Sequence, residues 1–237
     1  MNRIVPKRPP RIRPDNRRLT ERRFALATVM AVVGHASGLP RVADAADAPV
    51  RTPQQTLGPF YPRNVEERPQ EVDADLLTLS GGTVLAKGVP IYLSGRAIDI
   101  RGQPLAGATV EIWQCDANAV YHHPGGGAEN ERDPRFQGYG VARTNANGEF
   151  EFRTIRPVTY PGRTAHIHVR VQAGRAQLAT QLYLPDEPGN RRDFLYSRLS
   201  PQEQAAVALR LTPTPASATS PLAQATQFTA RVELVLA

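Results

Sequence analysis

The sequence predicts an all-β fold, a β-sandwich with an extended N-terminal arm and one short C-terminal helix. From about residue 90 onward, short runs of alternating hydrophobic residues recur, and turn residues separate them roughly every 8 to 15 positions. Only one segment has a sustained helical spacing, and the chain has no internal repeat. Short strands punctuated in this way are typical of two packed sheets. The length of 237 residues suits a single domain with a sizeable core.

The individual elements follow from local composition. Residues 49–90 are rich in Pro, Gly and Thr and predict the arm, with little regular structure. Asn147-Gly148 lies between two alternating runs and predicts a β-hairpin, because Asn-Gly is a strong signal for a two-residue turn. The predicted strands are 92–98, 108–114, 141–144, 149–153, 165–172, 177–184 and 228–236. The helical spacing covers residues 192–209.

Residues 1–48 have the order of an export signal. A basic stretch that includes Arg22 and Arg23 precedes a mostly apolar run of 11 residues, 24–34, and two A-x-A motifs follow at 43–45 and 46–48. This order matches a secretory signal peptide, and the apolar run is too short to span a bilayer. The paired arginines resemble a twin-arginine signal. We therefore expect residues 49–237 to form an exported, periplasmic domain; the alternatives are a disordered basic tail and a misassigned start codon.

The formal charge of +7 does not indicate a nucleic-acid-binding protein. Residues 1–48 hold 10 of the 29 Lys and Arg and 4 of the 22 Asp and Glu, so the remainder carries 19 basic and 18 acidic residues, a net charge of about +1. A phosphate-binding surface needs a local basic excess. No apolar run reaches 18 residues, so we expect no membrane span in the mature form. The single cysteine, Cys115, excludes an intramolecular disulfide and is interpreted as a small buried residue.

The histidines are the most informative residues of the chain. Four of the five fall in two pairs, His122-His123 and His166-His168. Residues i and i+2 of a strand point to the same face, so His166 and His168 are expected to project together. Two neighbouring imidazoles form half of a metal site. From spacing alone, a surface pair without any ligand is an equally good interpretation.

Two tyrosines can complete that site. Tyr160 precedes His166 by six residues, across Pro161-Gly162, a turn that can fold Tyr160 back toward the strand, and Tyr121 ends the loop after the 108–114 strand. A free phenol has a pKa of about 10, but a bound cation strongly depresses it, and a ferric ion can hold the phenolate. Two phenolates stabilise iron(III) over iron(II). The two-histidine, one-carboxylate pattern of iron(II) oxygenases has no counterpart here, because no H-x-D or H-x-E occurs.

Four segments in order resemble the intradiol ring-cleavage dioxygenases. They cover roughly residues 51–200 and read TPQQTLGPFYPRN, AGATVEIWQCDANAVYHHP, DPRFQGYGVARTNANGEFEFRTIRPVTYPGRTAHIHVRV and LATQLYLPDEPGNRRDFLYSRL. The resemblance implies an enzyme that uses non-haem ferric iron, Fe(III), and O2. Its substrate would be a catechol-type aromatic, such as catechol or protocatechuate. The ring would open between the two hydroxyl-bearing carbons and give a cis,cis-muconate-type diacid.

The resemblance also implies roles for individual residues. Four side chains would bind the metal: Tyr121, Tyr160, His166 and His168. Tyr160 would leave the metal when the catechol binds, whereas Tyr121 would stay. Arg163 would stabilise the developing negative charge, and Gln181 would orient the pocket.

Other residues of these segments have less defined roles. By the resemblance, three of them would contact the substrate at the pocket mouth: Gly58, Pro59 and Phe60. Tyr61 either joins them or packs in the core. His122 and His123 match no ligand of the family and are interpreted as loop residues near the site.

The segment between the second tyrosine and the H-x-H pair departs from the longer form of protocatechuate 3,4-dioxygenase. It has only five residues, Pro161 to Ala165. This short form resembles a stand-alone branch of the family that is similar to the β subunit of that enzyme. It leaves open the ring substituent, a homo-oligomeric state and the need for a second subunit.

Two other classes of protein remain open at this point. A non-catalytic transthyretin-like β-sandwich module also contains GATVEIW-like strands and Asn-Gly turns, but it needs no paired tyrosines and histidines. A zinc hydrolase or a cupin-type oxygenase relies on three histidines or a carboxylate. Metal content and a visible spectrum distinguish all three classes.

Overall fold

The computed structural model describes residues 49–79, 82 and 84–237, and the predicted export signal, 1–48, lies outside them. In chain order the strands are β1 Pro90–Asp99, β2 Thr109–Trp113, β3 Tyr139–Arg143, β4 Glu149–Ile155, β5 His166–Ala173, β6 Ala176–Tyr183, β7 Thr212–Pro213 and β8 Phe228–Leu236. The described part of the chain has one α-helix, α1 at Pro201–Ala206. The strands form two sheets, with the orders β4-β1-β8-β7 and β3-β2-β5-β6. The predicted all-β sandwich with one short C-terminal helix is confirmed.

The predicted Asn147-Gly148 hairpin is wrong in its pairing, although its strands and its turn exist. Gly148 has a φ of +75°, as such a turn requires. The two strands then diverge, because β3 pairs with β2 in one sheet and β4 pairs with β1 in the other. The N–H of Ala97 in β1 donates to the carbonyl of Gly148 at 2.8 Å. Partner choice thus depends on a distant strand and not on the turn residues.

The helical segment is shorter than its spacing predicts. One 3-10 helix, Pro188–Arg192, ends where the predicted segment begins, and a second, Tyr196–Arg198, lies within its first part. Ser200 is extended, with ψ 160°, because a residue that precedes proline disfavours the α conformation. The side chains of Ser200 and Glu203 then form a reciprocal capping box that starts α1. The segment returns to the sheet where the N–H of Leu209 donates to the carbonyl of Tyr183 at 2.7 Å.

The second sheet has one face in the core and one outer face. Ile112, Ile167 and Leu182 are fully buried and pack in the cluster that fills the space between the sheets. The opposite face carries a row of three side chains from adjacent strands, Trp113, His168 and Gln181. The predicted common face of the H-x-H pair is therefore confirmed.

The N-terminal arm covers the outer face of this second sheet. The N–H of Thr52 donates to the carbonyl of Val235 at 3.2 Å, which anchors the arm on β8. The N–H of Gln55 then donates to the carbonyl of Ala179 at 2.7 Å, which places the arm beside β6. A second apolar cluster lies beneath the arm: Tyr61, Trp113, Cys115, Tyr121 and Tyr139. Cys115 is buried, as predicted. Within the described ranges, no helix is both long and apolar enough to cross a bilayer.

Candidate metal centre

The two histidines of β5 lie side by side and are buried, each with 2% of its surface exposed. Their Nε2 atoms are 3.1 Å apart. Nδ1 of His166 is 2.7 Å from the carbonyl oxygen of Thr164. A carbonyl oxygen only accepts hydrogen bonds, so Nδ1 of His166 carries the hydrogen and its Nε2 presents a lone pair toward His168. A histidine that donates to a backbone carbonyl through its far nitrogen has the orientation typical of a metal ligand.

Two neighbours restrict the ring of His168, Trp113 and Gly58. Its imidazole stacks on Trp113 with ring centroids 4.7 Å apart and an angle of 7°. A Cβ atom built on Gly58 would lie 3.2 Å from Cε1 of His168, so only glycine fits there without displacing the ring. Burial, together with the neighbouring His166, holds the pKa of His168 well below its usual range. Burial and the charge of Arg163 lower the pKa of His166 to about 4. Both imidazoles are therefore neutral, the form that binds metal ions.

The two predicted tyrosines meet this pair. The ring of Tyr160 lies 5.6 Å from that of His166, and the ring of Tyr121 lies 6.3 Å from that of His168. The rings of Tyr121 and Tyr160 meet edge to face at 5.4 Å. The predicted turn is confirmed, because Gly162 has a φ of +83° and the N–H of Arg163 donates to the carbonyl of Tyr160 at 3.0 Å. The sequence motif thus becomes one compact cluster.

The environments of the two phenols differ. Tyr121 is buried, and its hydroxyl has no hydrogen-bond partner of good geometry in the described chain. Burial and the nearby Tyr160 raise the pKa of Tyr121 well above its usual value. Tyr160 is half-buried, and although burial raises its pKa, the charge of Arg163 acts in the opposite direction. Tyr160 is the phenol that ionises more easily of the two.

The donor set fits a ferric ion. A buried hydroxyl without a partner is costly, and the Tyr121 ring that carries it lies 6.3 Å from the ring of His168. A cation bound by all four side chains would stabilise the phenolates and satisfy this group. Within the described ranges, no three His, Cys, Asp or Glu residues cluster as a metal site. The three-histidine and carboxylate sites of the zinc and cupin alternatives therefore have no candidate there.

Arg163 and Gln181 lie together at the edge of this cluster. Nη2 of Arg163 donates to Oε1 of Gln181 at 2.6 Å, and its Nε donates to Oδ2 of Asp193 at 2.8 Å. Burial alone would lower the pKa of Arg163, but Asp193 outweighs that effect and raises it. Nε2 of Gln181 donates to the carbonyl of Thr56 in the arm at 3.3 Å. The guanidinium of Arg163 is thus held at two of its nitrogens, beside the tyrosine–histidine cluster.

The predicted substrate loop surrounds the cluster in part. Phe60 stacks on Tyr121 at 4.4 Å and meets Tyr160 edge-on at 6.3 Å, and Pro59 is exposed at the turn. Tyr61 points away, and its hydroxyl donates to Glu111 at 2.7 Å. Of the two interpretations of Tyr61, packing is the correct one.

The His122-His123 pair divides between two places. The ring of His123 lies 5.9 Å from Phe60, edge to face, and its Nε2 lies 3.6 Å from Glu67 in the arm. His123 therefore packs against Phe60, the ring that stacks on Tyr121. His122 faces Asp116, with 3.5 Å between Nε2 and Oδ2.

Several residues of the site were missed by the sequence reasoning. Trp113 backs His168, Thr164 orients His166, and Asp193 holds Arg163. The one available signal was the strand period, which puts Trp113 on the face opposite Val110 and Ile112. Asp193 lies 30 residues from Arg163 in sequence, and no local pattern connects the two.

Surface clefts alone do not identify this site. A small cleft of about 210 Å³ reaches its rim at Arg163 and Asp193. Larger clefts, of about 570, 650 and 890 Å³, are lined by residues outside the tyrosine–histidine cluster. The chemistry of the donor set therefore defines the candidate site.

A family model described as a dioxygenase matches residues 57–225, which is most of the chain. The chain belongs to the intradiol ring-cleavage dioxygenases, a family of enzymes. The non-catalytic sandwich module is not favoured by this result.

Relatives with known names agree with that membership. Catechol 1,2-dioxygenase of Candida albicans is 28% identical over 169 residues, covering 62% of this chain and 51% of that protein. The protocatechuate 3,4-dioxygenase beta chain of Burkholderia cepacia is 34% identical over 110 residues, covering 43% and 47%. Hydroxyquinol 1,2-dioxygenase of a Rhizobium species is 30% identical over 159 residues, covering 59% and 50%. The chain spans about half the length of these relatives.

Solved structures share the fold. The dioxygenase domain of a dioxygenase–carbohydrate-binding protein fusion from Streptomyces sp. SirexAA-E has 32% identity and a TM-score of 0.56, covering 79% of this chain and 98% of that domain. An intradiol ring-cleavage dioxygenase from Tetranychus urticae has 21% identity and a TM-score of 0.58, covering 78% and 94%. At that lower identity the likeness concerns the fold alone.

Proposed function

We propose that this protein is an Fe(III)-dependent dioxygenase that opens a catechol-type ring between its two hydroxyl-bearing carbons. The supporting observation is the buried cluster of two phenols and two neutral imidazoles, in which the Nε2 atoms of His166 and His168 are 3.1 Å apart. Both atoms of O2 enter the product, a cis,cis-muconate-type diacid. The balance therefore needs no external reductant.

The proposed ligands are Tyr121, Tyr160, His166 and His168. A ferric ion held there would act as a Lewis acid toward both catechol oxygens and draw electron density from the ring. The protein supplies the surroundings for that chemistry. Phe60, stacked on Tyr121 at 4.4 Å, shields the cluster from water.

Tyr160 is the proposed acceptor of a substrate proton. It is half-buried, whereas Tyr121 is buried, so an arriving ring reaches the Tyr160 oxygen more easily. The charge of Arg163 makes the phenolate of Tyr160 easier to keep until the substrate arrives. Once protonated, Tyr160 would be a weaker metal ligand, so the residue that takes the proton would also make space for the second catechol oxygen.

Arg163 is the proposed stabiliser of negative charge on the substrate. Its guanidinium is anchored by Gln181 and Asp193 at two different nitrogens, so it is already oriented before charge develops. Preorganised donors of this kind lower a reaction barrier because nothing has to reorient during the reaction. In this proposal Gln181 sets the orientation of the Arg163 guanidinium.

The proposed substrate class is a catechol whose ring substituent is open. The relatives named above act, by their names, on catechol, hydroxyquinol and protocatechuate, which share an aromatic ring with two adjacent hydroxyl groups. That shared feature is what the cluster would recognise.

The test is iron reconstitution followed by spectroscopy and product analysis. The iron-loaded protein should show a visible charge-transfer band from phenolate to ferric ion, giving a red-brown colour. Zinc, with its filled d shell, gives no such band. With catechol, protocatechuate or hydroxyquinol and ¹⁸O₂, mass spectrometry should find a diacid that contains two labelled oxygens.

Tyrosine variants connect the colour to the site. Tyr160→Phe should keep much of the iron, shift the band and slow turnover. Tyr92→Phe is the matched control, because Tyr92 is also a partly buried, hydrogen-bonded tyrosine but binds Glu151 on the other sheet. A colourless, iron-free protein after reconstitution would contradict the proposal. Cleavage beside the hydroxyl pair would keep the metal site and refute the intradiol mechanism.

A further inference from the structure

Asp193 lies beneath Arg163 on the loop that follows β6, and its side chain is fully buried. Its Oδ2 accepts hydrogen bonds from Nε of Arg163 at 2.8 Å and from the N–H of Thr164 at 2.9 Å. Its Oδ1 accepts from the N–H groups of Leu195 at 3.0 Å and Tyr196 at 2.9 Å. Four donors on one buried carboxylate make it a rigid anchor.

This carboxylate stays ionised inside the protein. Burial would raise the pKa of Asp193, but the hydrogen bonds from Arg163 and from the backbone N–H groups outweigh burial and lower it. The negative charge of Asp193 attracts Nε of Arg163 and so keeps the guanidinium from rotating toward solvent. The ring of Phe194 adds a contact 5.2 Å from the guanidinium carbon of Arg163.

Asp193 and Gln181 hold different atoms of the same planar group. Nε is bound by Asp193 and Nη2 by Gln181, which fixes both the plane and the direction of the guanidinium. These two anchors use two of its five N–H donors. The other donors remain for Tyr160 and for a reacting substrate.

The same carboxylate oxygen also steadies the metal side of the site. Oδ2 of Asp193 holds the N–H of Thr164, and the carbonyl of Thr164 accepts from Nδ1 of His166 at 2.7 Å. The side chain of Arg163 and the backbone just before β5 are therefore both hydrogen-bonded to Oδ2 of Asp193.

We infer that Asp193 is a positioning residue of the active site, which aims Arg163 at the substrate and makes the loop of residues 188–198 part of the catalytic apparatus. This inference rests on the proposed function, because it assumes that Arg163 faces a reacting catechol. A lysine at position 163 would carry the charge but could not be held at two nitrogens at once.

The main variant is Asp193→Asn in the iron-loaded protein. We expect kcat to fall by about 10- to 100-fold, by analogy with the loss of residues that orient metal ligands, with a smaller change in KM. Iron per chain should stay near the wild-type value, because the four proposed ligands are unchanged. Asp75→Asn is the matched control. Oδ1 of Asp75 also accepts from an arginine Nε, that of Arg153 at 2.8 Å, but this pair lies on the first sheet. The control should lose stability and keep its turnover.

A double-mutant comparison separates positioning from general stability. Arg163→Leu should reduce kcat by about 10²–10³-fold. Adding Asp193→Asn to it should cause no further loss, because the group that Asp193 positions is already gone. Independent, multiplicative losses would overturn the inference.

Nuclear magnetic resonance on protein loaded with diamagnetic Ga(III), which avoids the signal broadening that paramagnetic Fe(III) causes, gives a readout that does not depend on activity. The Nε–H signal of Arg163, identified by its loss in Arg163→Leu, should exchange slowly with water in the wild type and rapidly in Asp193→Asn. If Asp193→Asn does not fold, Arg163→Lys replaces it, and its kcat should be close to that of Arg163→Leu. Wild-type turnover in Asp193→Asn or Arg163→Lys would overturn the role of Asp193. A wild-type protein that binds iron but opens no catechol would instead contradict the proposed function.

Discussion

Gly58 is the point at which the arm presses on the candidate metal centre, and Gly58→Ala tests that contact. Gly58 has a φ of +73°, and an added Cβ would lie 3.2 Å from Cε1 and 3.7 Å from Nε2 of His168. The ring of Trp113 stacks on that of His168 with centroids 4.7 Å apart, which limits how far the imidazole can shift. The substitution therefore strains the backbone and pushes on a proposed ligand.

The two costs can be estimated separately. A left-handed conformation costs an L residue roughly 1–2 kcal/mol, part of which is returned because alanine restricts the unfolded chain by about 0.4–1 kcal/mol. We expect a net loss of about 1 kcal/mol in the free energy of unfolding from the backbone alone. Gly174→Ala isolates that term, because Gly174 has a φ of +59° and no heavy atom within 4 Å of an added Cβ. Any further effect at Gly58 comes from the contact with His168.

The assay compares both variants with the wild type. Urea unfolding followed by circular dichroism should give a similar loss for the two glycines, whereas iron per chain and the intensity of the visible band should fall only in Gly58→Ala. If Gly58→Ala and Gly174→Ala have the same iron content, band position and turnover, a Cβ at position 58 does not disturb His168 and the prediction is refuted. If Gly174→Ala also loses iron, the effect is one of stability and not of the contact.

Three further predictions concern the ligands, the loop before Tyr121 and the N-terminal segment. Replacing either histidine of β5 by alanine should remove most of the iron, measured by elemental analysis, because two neutral donors share one side of the site; full iron content would exclude them as ligands. Burial raises the pKa of Asp116, but His122 and backbone N–H groups outweigh it and lower that pKa. Its stabilising contribution is thus present above the unfolded value of about 3.9 and is lost as the pH falls through the lower folded value. In urea unfolding across pH, Asp116→Asn should weaken the fall in stability below about pH 4, and an unchanged fall would assign it to other groups. We also propose export: N-terminal sequencing should find a mature start between residues 45 and 49, replacing Arg22 and Arg23 by lysine should block export by the twin-arginine route, and an intact Met1 on cytoplasmic protein would contradict export.

The strand period was the most productive feature of the sequence. It predicted that His166 and His168 share a face, and they do, with their Nε2 atoms 3.1 Å apart. It also predicted the strands of both sheets to within a few residues, since alternate residues of a strand point to opposite faces of the sheet. The short strand β7 was missed because its two residues are too few for a period.

Local sequence patterns did not specify which strands pair or how long the C-terminal helix is. The turn at Asn147-Gly148 exists, but its strands join different sheets because β4 pairs with β1 and β3 pairs with β2. The helical spacing of residues 192–209 was interrupted by Asp193, whose carboxylate binds the N–H groups of Leu195 and Tyr196. That carboxylate turns inward because Arg163 lies there, which only the folded chain determines.

The sequence by itself determined the all-β class, the shared face of the H-x-H pair and the Pro161-Gly162 turn that returns Tyr160 to it. Each of these depends on residues close together in the chain, where backbone geometry leaves few choices. Tertiary structure decided which groups surround them. Gln181 meets the carbonyl of Thr56 across 125 residues of sequence, and Arg163 meets Asp193 across 30. Such contacts form only when separate segments pack against one sheet face, because no pattern within either segment specifies the other.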